Sequence, residues 1–260
     1  MRGPEMLYTK SYRILLERLD DAVDDGINAI VYGPPSSEKS YVLENLCSQF
    51  RAKGRPVIYM YSGPRCTETH LYRGLAEAAG IEVRSSNRWA CRYAVLTALR
   101  SRPQLPAIVI DEAQHLDMDA LEGVRQIHDM TRRDERRGCG IILAGSHNLL
   151  HGLLHPARRP RLEQMLSRFA HRVQLEGMSK TEILTLACRA FGNGKPAKLS
   201  EEQQKILVNR CTVEDPYFIG AEGKPERRSY YSSRRLLEYI RQQQRKNVKS
   251  GADGVFMGAC

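Results

Sequence analysis

Four short apolar runs, separated by helix-length amphipathic segments, restrict this chain to few architectures. The runs are NAIVY at 28–32, PVIYM at 56–60, AIVI at 107–110 and GIILA at 140–144. Runs of this length, rich in Val and Ile and bounded by turn residues, suit strands buried on both faces. Between them the apolar residues recur at helical spacing. Leu15, Leu16, Leu19, Ala22 and Val23 share a face, as do Val42, Leu43, Leu46, Cys47 and Phe50, and further helices are expected over 71–79, 87–100 and 121–133. Strands alternating with helices predict an α/β fold, a parallel sheet with helices on both faces.

The pattern changes near Met178. SKTE at 179–182 is a capping-box sequence that opens an apolar run to Phe191, and SEEQ at 200–203 opens another. A reciprocal Ser-to-Glu or Ser-to-Gln cap satisfies two helix-start N–H groups, so each marks a helix beginning. A loop is expected over 215–228 and a last helix over 232–246. The predicted organisation is an α/β domain over residues 1–178, a small α-helical lid domain over 179–250 and a frayed tail over 251–260.

The loop after the first strand carries the first chemical signal. Gly33, Pro34, Pro35, Ser36, Ser37, Glu38, Lys39 and Ser40 stand between a strand and a helix. The phosphate-loop pattern G-x-x-x-x-G-K-[ST] is met at Gly33, Lys39 and Ser40, but Glu38 replaces the second glycine. The chemistry of such a loop is backbone N–H groups converging on a phosphate at a helix N-terminus. A lysine then meets the β- and γ-phosphate oxygens, and a hydroxyl meets Mg2+. Glu38 places a side chain where backbone and phosphate approach closely. Its charge also opposes a triphosphate, at a cost of about 1–4 kcal/mol at surface dielectrics.

The third strand ends in two carboxylates, Asp111 and Glu112, directly after four apolar residues. In a phosphate-loop enzyme the first holds Mg2+ through water, with Ser40 as the other metal partner, and the second polarises the attacking water. The order and spacing of the two motifs reinforce each other.

With IVIDEAQHL, IILAGSHN and MLSRFAHRVQL following the phosphate loop, residues 12–245 resemble an AAA+ ATPase. Within that class the chain is similar to the transposition-regulator group (TniB, TnsC and Mu B-like proteins) and to ExeA-like ATPases. The stretch MYSGPRCT at 60–67, with the helix after it, belongs to the same resemblance. The resemblance implies that Ser146, or Asn148 two residues on, senses the γ-phosphate. It implies that Arg168 is an arginine finger reaching a neighbouring subunit's nucleotide, so the working form is a homo-oligomer. Arg234 or Arg235 would touch the phosphates from the lid, and the glycine that usually precedes that arginine is absent. ATP and Mg2+ are the implied cofactors.

Charge adds a partner. The formal net charge is +10. Residues 224–249 hold nine Lys/Arg against two Glu. Further basic stretches include Arg84, Arg88, Arg92, Arg100 and Arg102, and then Arg132, Arg133, Arg136 and Arg137 diluted by Asp134 and Glu135. Clustered Lys and Arg favour a polyanion, because neutralised phosphates release counterions. Arg84, Arg88, Arg92, Arg132 and Arg133 are the candidate DNA-binding residues. Seven cysteines without a C-x-x-C pair suit a reducing compartment, and no run approaches the ~20 apolar residues of a membrane span. The expectation is a cytoplasmic protein with no membrane partner. His147, His151 and His155 share a helical spacing, but without an acidic partner they read as surface or packing residues. Trp89, the single tryptophan, reads as core or helix packing rather than as a base-stacking platform.

The leading expectation is an ATP-dependent, DNA-binding regulator that oligomerises on duplex DNA and recruits or activates a transposase or other recombination protein. Alternatives are a helicase- or replication-loading AAA+ ATPase, an ExeA-like secretion ATPase, and a DNA-binding scaffold that has lost nucleotide use through Glu38.

Overall fold

The computed structural model describes residues 9–35, 39–83, 85, 87–132, 138–157, 159–191, 198–219 and 225–249. One compact unit comprises residues 14–33 and 39–175, and the remaining described residues form a second.

The first unit is built on a five-stranded sheet. Its strands are β1 (Asn28–Tyr32), β2 (Val57–Tyr61), β3 (Ala107–Asp111), β4 (Ile141–Gly145) and β5 (Phe169–Gln174), in the order β2-β3-β4-β1-β5. Every pairing is parallel, from Val57 opposite Ala107 to Tyr32 opposite Gln174. All residues of β1, β3 and β4 are buried, which is why these strands read as unbroken apolar runs. Two polar residues break the pattern, Asp111 at the end of β3 and Asn28 at the start of β1. Asn28 Oδ1 accepts the Ile141 N–H at 2.7 Å and its Nδ2 donates to the Arg168 carbonyl at 3.1 Å, so a buried amide pins β1 to both neighbours.

The helices of this unit are α1 (Lys10–Asp25, whose first residues belong to the second unit), α2 (Lys39–Ala52), α3 (Glu68–Ala79), α4 (Arg88–Ser101), α5 (Met118–Thr131), α6 (His147–Leu154) and α7 (Arg159–Leu166). α2 buries the apolar set expected from its spacing, together with Lys39. Side chains fix the starts of the next three helices. Thr67 forms a capping box with His70, Asn87 accepts the Trp89 N–H, and Asp117 accepts the Ala120 N–H.

The second unit packs α8 (Lys180–Phe191), α9 (Glu201–Cys211) and α10 (Ser233–Lys249) around Ile183, Leu186, Leu207, Leu236 and Ile240. The loop expected over 215–228 is instead part of an antiparallel hairpin, β6 (Thr212–Ile219) and β7 (Pro225–Tyr231). The ladder pairs Thr212 with Tyr231 and Val213 with Tyr230, then shifts register between Asp215 and Phe218. Pro216 lies inside that irregular stretch, where a missing N–H costs no ladder bond. Pro216, one of the residues that suggested a loop, therefore marks a bulge, and Gly220 and Gly223 lie outside the described residues. The tail over 251–260 lies outside the described residues.

Candidate functional site

In a parallel sheet the carboxyl ends of all strands share one edge, where loops and helix starts can converge on a ligand. Gly33 follows β1 there, Asp111 ends β3 and Gly145 ends β4. Gly33 is required by contact: a Cβ at this position would lie 2.6 Å from the Leu175 carbonyl oxygen. Lys39 and Ser40 begin α2. Lys39 is buried, and its Nζ donates to the Gly33 carbonyl at 3.0 Å, so the ammonium folds back over the loop. Ser36, Ser37 and Glu38 lie outside the described residues.

Asp111 is fully buried at the end of β3. Its Oδ2 accepts the Tyr59 hydroxyl at 2.9 Å and its Oδ1 accepts the Glu112 N–H at 2.8 Å. Burial, with the Asp111 charge beside it, pushes the Tyr59 phenol upward, so Tyr59 stays a donor at any ordinary pH. Glu112 has a left-handed backbone, φ 53° and ψ 35°. A non-glycine residue held there carries local strain, a feature concentrated at functional positions. A short 3-10 turn follows at Ala113–His115.

Gln114, on that turn, is a residue that sequence reasoning missed. Its Nε2 donates to Glu112 Oε2, and its Oε1 accepts the Ser146 N–H at 3.1 Å. One amide thus ties the strand-end glutamate to the start of α6. Gly145 makes room for it, since a Cβ there would meet Gln114 Oε1 at 2.3 Å. The sequence signal was available in the adjacency of Glu112 and Gln114 in DEAQ, but a lone Gln has no pattern of its own. Of the two γ-phosphate-sensor candidates, Ser146 is half-buried at the α6 N-cap and Asn148 is exposed. His147 is buried with its ring edge-on to Tyr32 at 6.0 Å, the packing role its position suggested, while His151 and His155 are exposed.

Arg168 lies just before β5, and its Nε donates to Asp129 Oδ1 at 2.9 Å. Asp129 also takes Arg125 at 2.6 Å. In this chain the candidate finger is therefore held by its own α5. In the second unit, Arg235 donates to the Thr212 carbonyl at 2.5 Å and Arg234 pairs with Glu238 at 3.6 Å. Both line a cavity of about 380 Å3 in that unit, together with Pro34, Pro35, Tyr230 and Ser232, and the Tyr230 hydroxyl donates to the Pro35 carbonyl at 2.6 Å.

The basic stretches are only partly free. Arg88 and Arg92 approach Glu68 at 3.5 and 4.0 Å, and Arg92 reaches the Met130 sulfur at 3.6 Å, two residues before the exposed Arg132. Packing of α4 on α5 thus brings two separate stretches of sequence together. Arg228 pairs with Glu176 and lies over the Phe218 ring. Arg84 and Arg133 lie outside the described residues. Trp89 corrects an expectation: it is 62% exposed rather than packed into the core. No described helix is long and apolar enough to cross a membrane.

Several known proteins share this fold. Aeropyrum pernix ORC2, solved in ADPNP–ADP complexes, superposes with a TM-score of 0.64 over 97% of this chain and 66% of its own, at 15% identity. Thermotoga maritima RuvB, a Holliday junction branch migration motor, gives 0.52 over 94% of this chain and 63% of its own, at 14% identity. In sequence, the ATP-dependent target DNA activator B of Escherichia phage Mu is 28% identical over 80 residues. That match spans 31% of this chain and only 24% of the phage protein, and the chain covers less than two thirds of either solved relative. A family model described as an AAA domain matches residues 24–153, half of the chain. The strand order, the phosphate-loop residues and that match together make this protein a member of the AAA domain family.

Proposed function

We propose that this protein is an ATP-dependent, DNA-binding regulator of transposition that assembles on duplex DNA and recruits or activates a transposase. The observation that carries the nucleotide part is the convergence of buried Lys39, the first-turn hydroxyl residue Ser40 and the Asp111–Glu112 strand end on one sheet edge. The sequence likeness to a phage ATP-dependent target DNA activator supports the transposition part.

Each group has a defined task in this reading. Lys39 leaves the Gly33 carbonyl to meet the β- and γ-phosphate oxygens at the positive end of α2. Ser40 and Asp111 are hard oxygen donors, and Asp111 is already oriented by Tyr59 and by the Glu112 N–H, so together they suit a Mg2+ that keeps most of its waters. When bound, the ion neutralises phosphate charge. Glu112 accepts a proton from the attacking water, and Gln114 holds its carboxylate in place. Ser146 reads the γ-phosphate through the same amide. Arg168 leaves Asp129 to reach a neighbour's nucleotide, so the site is complete only between subunits. DNA is held mainly through phosphates, by Arg88, Arg92, Arg132 and the basic last helix, which makes binding weakly sequence-selective.

Glu38 favours a second reading, a DNA-binding scaffold without nucleotide turnover. Both readings meet one experiment: duplex binding and assembly of wild type and Lys39→Ala, with and without ATP. Loss of ATP-stimulated assembly in the variant is the expected result. Equal nucleotide affinity of the two proteins by calorimetry removes the phosphate-loop assignment, and ATP-independent assembly of both favours the scaffold.

A further inference from the structure

Two aromatic rings stand open to solvent on α4, one helical turn apart. Trp89 is 62% exposed and Tyr93 is 74% exposed. Large rings are rarely left this bare without a use, because each carries a substantial apolar area that burial would stabilise. Neither serves the nucleotide site or the core, which α4 reaches through Cys91, Val95, Leu96 and Leu99 on its other side.

The rings are set in a basic surround. α4 carries Arg88, Arg92 and Arg100 and no carboxylate. The guanidinium groups of Arg88 and Arg92 lie over the Trp89 ring, 5.3 and 5.4 Å from its centre, yet the residue still exposes most of its surface. Glu68 is the acidic residue that approaches both arginines, from the neighbouring α3. The helix start is fixed: the Trp89 backbone N–H donates to Asn87 Oδ1 at 2.8 Å, and the Asn87 backbone N–H donates to Ser85 Oγ at 3.1 Å. These caps fix the backbone of the helical turn that carries the indole.

We propose that the Trp89–Tyr93 face of α4 binds unpaired nucleic-acid bases, with Arg88 and Arg92 holding the flanking phosphates. Stacking on an aromatic side chain needs an open base face, which a paired, stacked duplex does not offer. Sequential stacking platforms beside cationic groups are the physical signature of single-strand binding. An apolar protein segment would match the rings but leave the excess positive charge of Arg88 and Arg92, which share the single carboxylate of Glu68, unbalanced, so charge complementarity favours a polyanion. The proposal rests on the nucleic-acid part of the proposed function and on none of its nucleotide chemistry. It identifies single-stranded DNA or RNA, or a locally unpaired duplex, as a ligand distinct from intact duplex.

Trp89 is the only tryptophan, so its fluorescence reports this face alone. Titrating the full chain with oligothymidylate should quench that fluorescence. A blunt duplex at equal phosphate concentration should quench it clearly less, since its phosphates reach Arg88 and Arg92 but no base stacks on the ring. Oligouridylate in a parallel arm separates a DNA-selective face from one indifferent to the sugar. Trp89→Ala and Tyr93→Ala should each weaken binding of labelled oligothymidylate by about 5- to 100-fold, the range expected for losing one stacked base. Trp89→Phe should retain most of the affinity because a π-face remains, and duplex affinity should stay within about twofold, with no base stacked on these rings. The proposal is overturned if saturating oligothymidylate leaves Trp89 unquenched, if duplex quenches it equally, or if the alanine variants bind the oligonucleotide like wild type. It is also overturned if the fluorescence responds only to protein concentration, which would make the face a contact between copies. Failure of duplex binding with quenching intact would instead count against the proposed function alone.

Discussion

At the scale of single residues, the sequence places its sharpest conflict at Glu38, a carboxylate where a phosphate loop needs glycine. Two costs meet at that position, crowding of the backbone–phosphate approach and charge against charge. Glu38→Gly should relieve both, giving tighter ATP binding and faster turnover, and Glu38→Gln should recover only the charge component. Calorimetric affinity and steady-state ATPase rates of the two variants check this, and a glycine variant no better than wild type would sink it. Glu112→Gln should bind ATP normally yet lose turnover by about 10²-fold or more, the scale of a lost general base. Gln114 makes a subtler case. Gln114→Ala should lower kcat with nucleotide affinity unchanged, since it releases Glu112 without touching the phosphate loop. Gly145→Ala should reproduce that effect by pushing the same amide out of its place. If Gly145→Ala turns over at the wild-type rate, the amide is not what orients Glu112.

At the scale of elements, β2 and β3 are joined through chemistry as well as through their ladder. Tyr59 in β2 donates to the fully buried Asp111 in β3. Tyr59→Phe removes the only donor to Asp111 Oδ2 among the described contacts and should cost about 1–3 kcal/mol, the penalty of leaving a buried acceptor unmade. Urea unfolding at neutral pH would read the loss as a lower midpoint at unchanged slope. A midpoint within error of wild type would mean that water replaces the phenol. The hairpin of β6 and β7 shows how an element can escape a propensity reading. TVEDPYFI and PERRSYY carry Pro, charge and irregular alternation, which read as loop, yet cross-strand pairs such as Val213 with Tyr230 hold them together. β5 escaped for a related reason. As an edge strand paired only to β1 it buries little beyond Phe169, so FAHRVQ never looked like an apolar run.

At the scale of the whole molecule, two expectations concern assembly and charge. If Arg168 works on a neighbour's nucleotide, a mixture of Lys39→Ala and Arg168→Ala chains should regain part of the ATPase activity that each lacks alone. Some interfaces in the mixture then pair an intact phosphate loop with an intact finger. No recovery at any mixing ratio would mean that the finger assignment is wrong or that the chains act singly. The net charge of +10 sets the second expectation. Duplex affinity should fall steeply with salt, log K against log[salt] having a slope of about −0.9 per phosphate neutralised. A flat response would exclude phosphate-dominated binding. Arg228 and Arg234 already pair with Glu176 and Glu238, so the slope should be smaller than a count of basic residues suggests.

Local rules were enough for the sheet's inner strands, the apolar faces of the longer helices, the capped starts of α8 and α9, and the order of the two nucleotide motifs. A strand buried on both faces must be apolar, a helix start must be capped, and a phosphate loop must lie between the two, so these features are written in adjacent residues. By contrast, α3 and α5 begin three residues earlier than expected, and α6 and α7 were not read. The tertiary structure alone decided what depends on residues far apart in the chain. It set Tyr59 against Asp111, 52 residues away, Gln114 against Ser146, 32 away, and Arg168 against Asp129, 39 away. It also turned Trp89 outward, because Cys91, Val95 and Leu99 already fill the buried side of α4 and a helix has only one face to give to the core. Hydrogen bonds and burial between distant segments follow from topology, and topology leaves no mark at either residue alone.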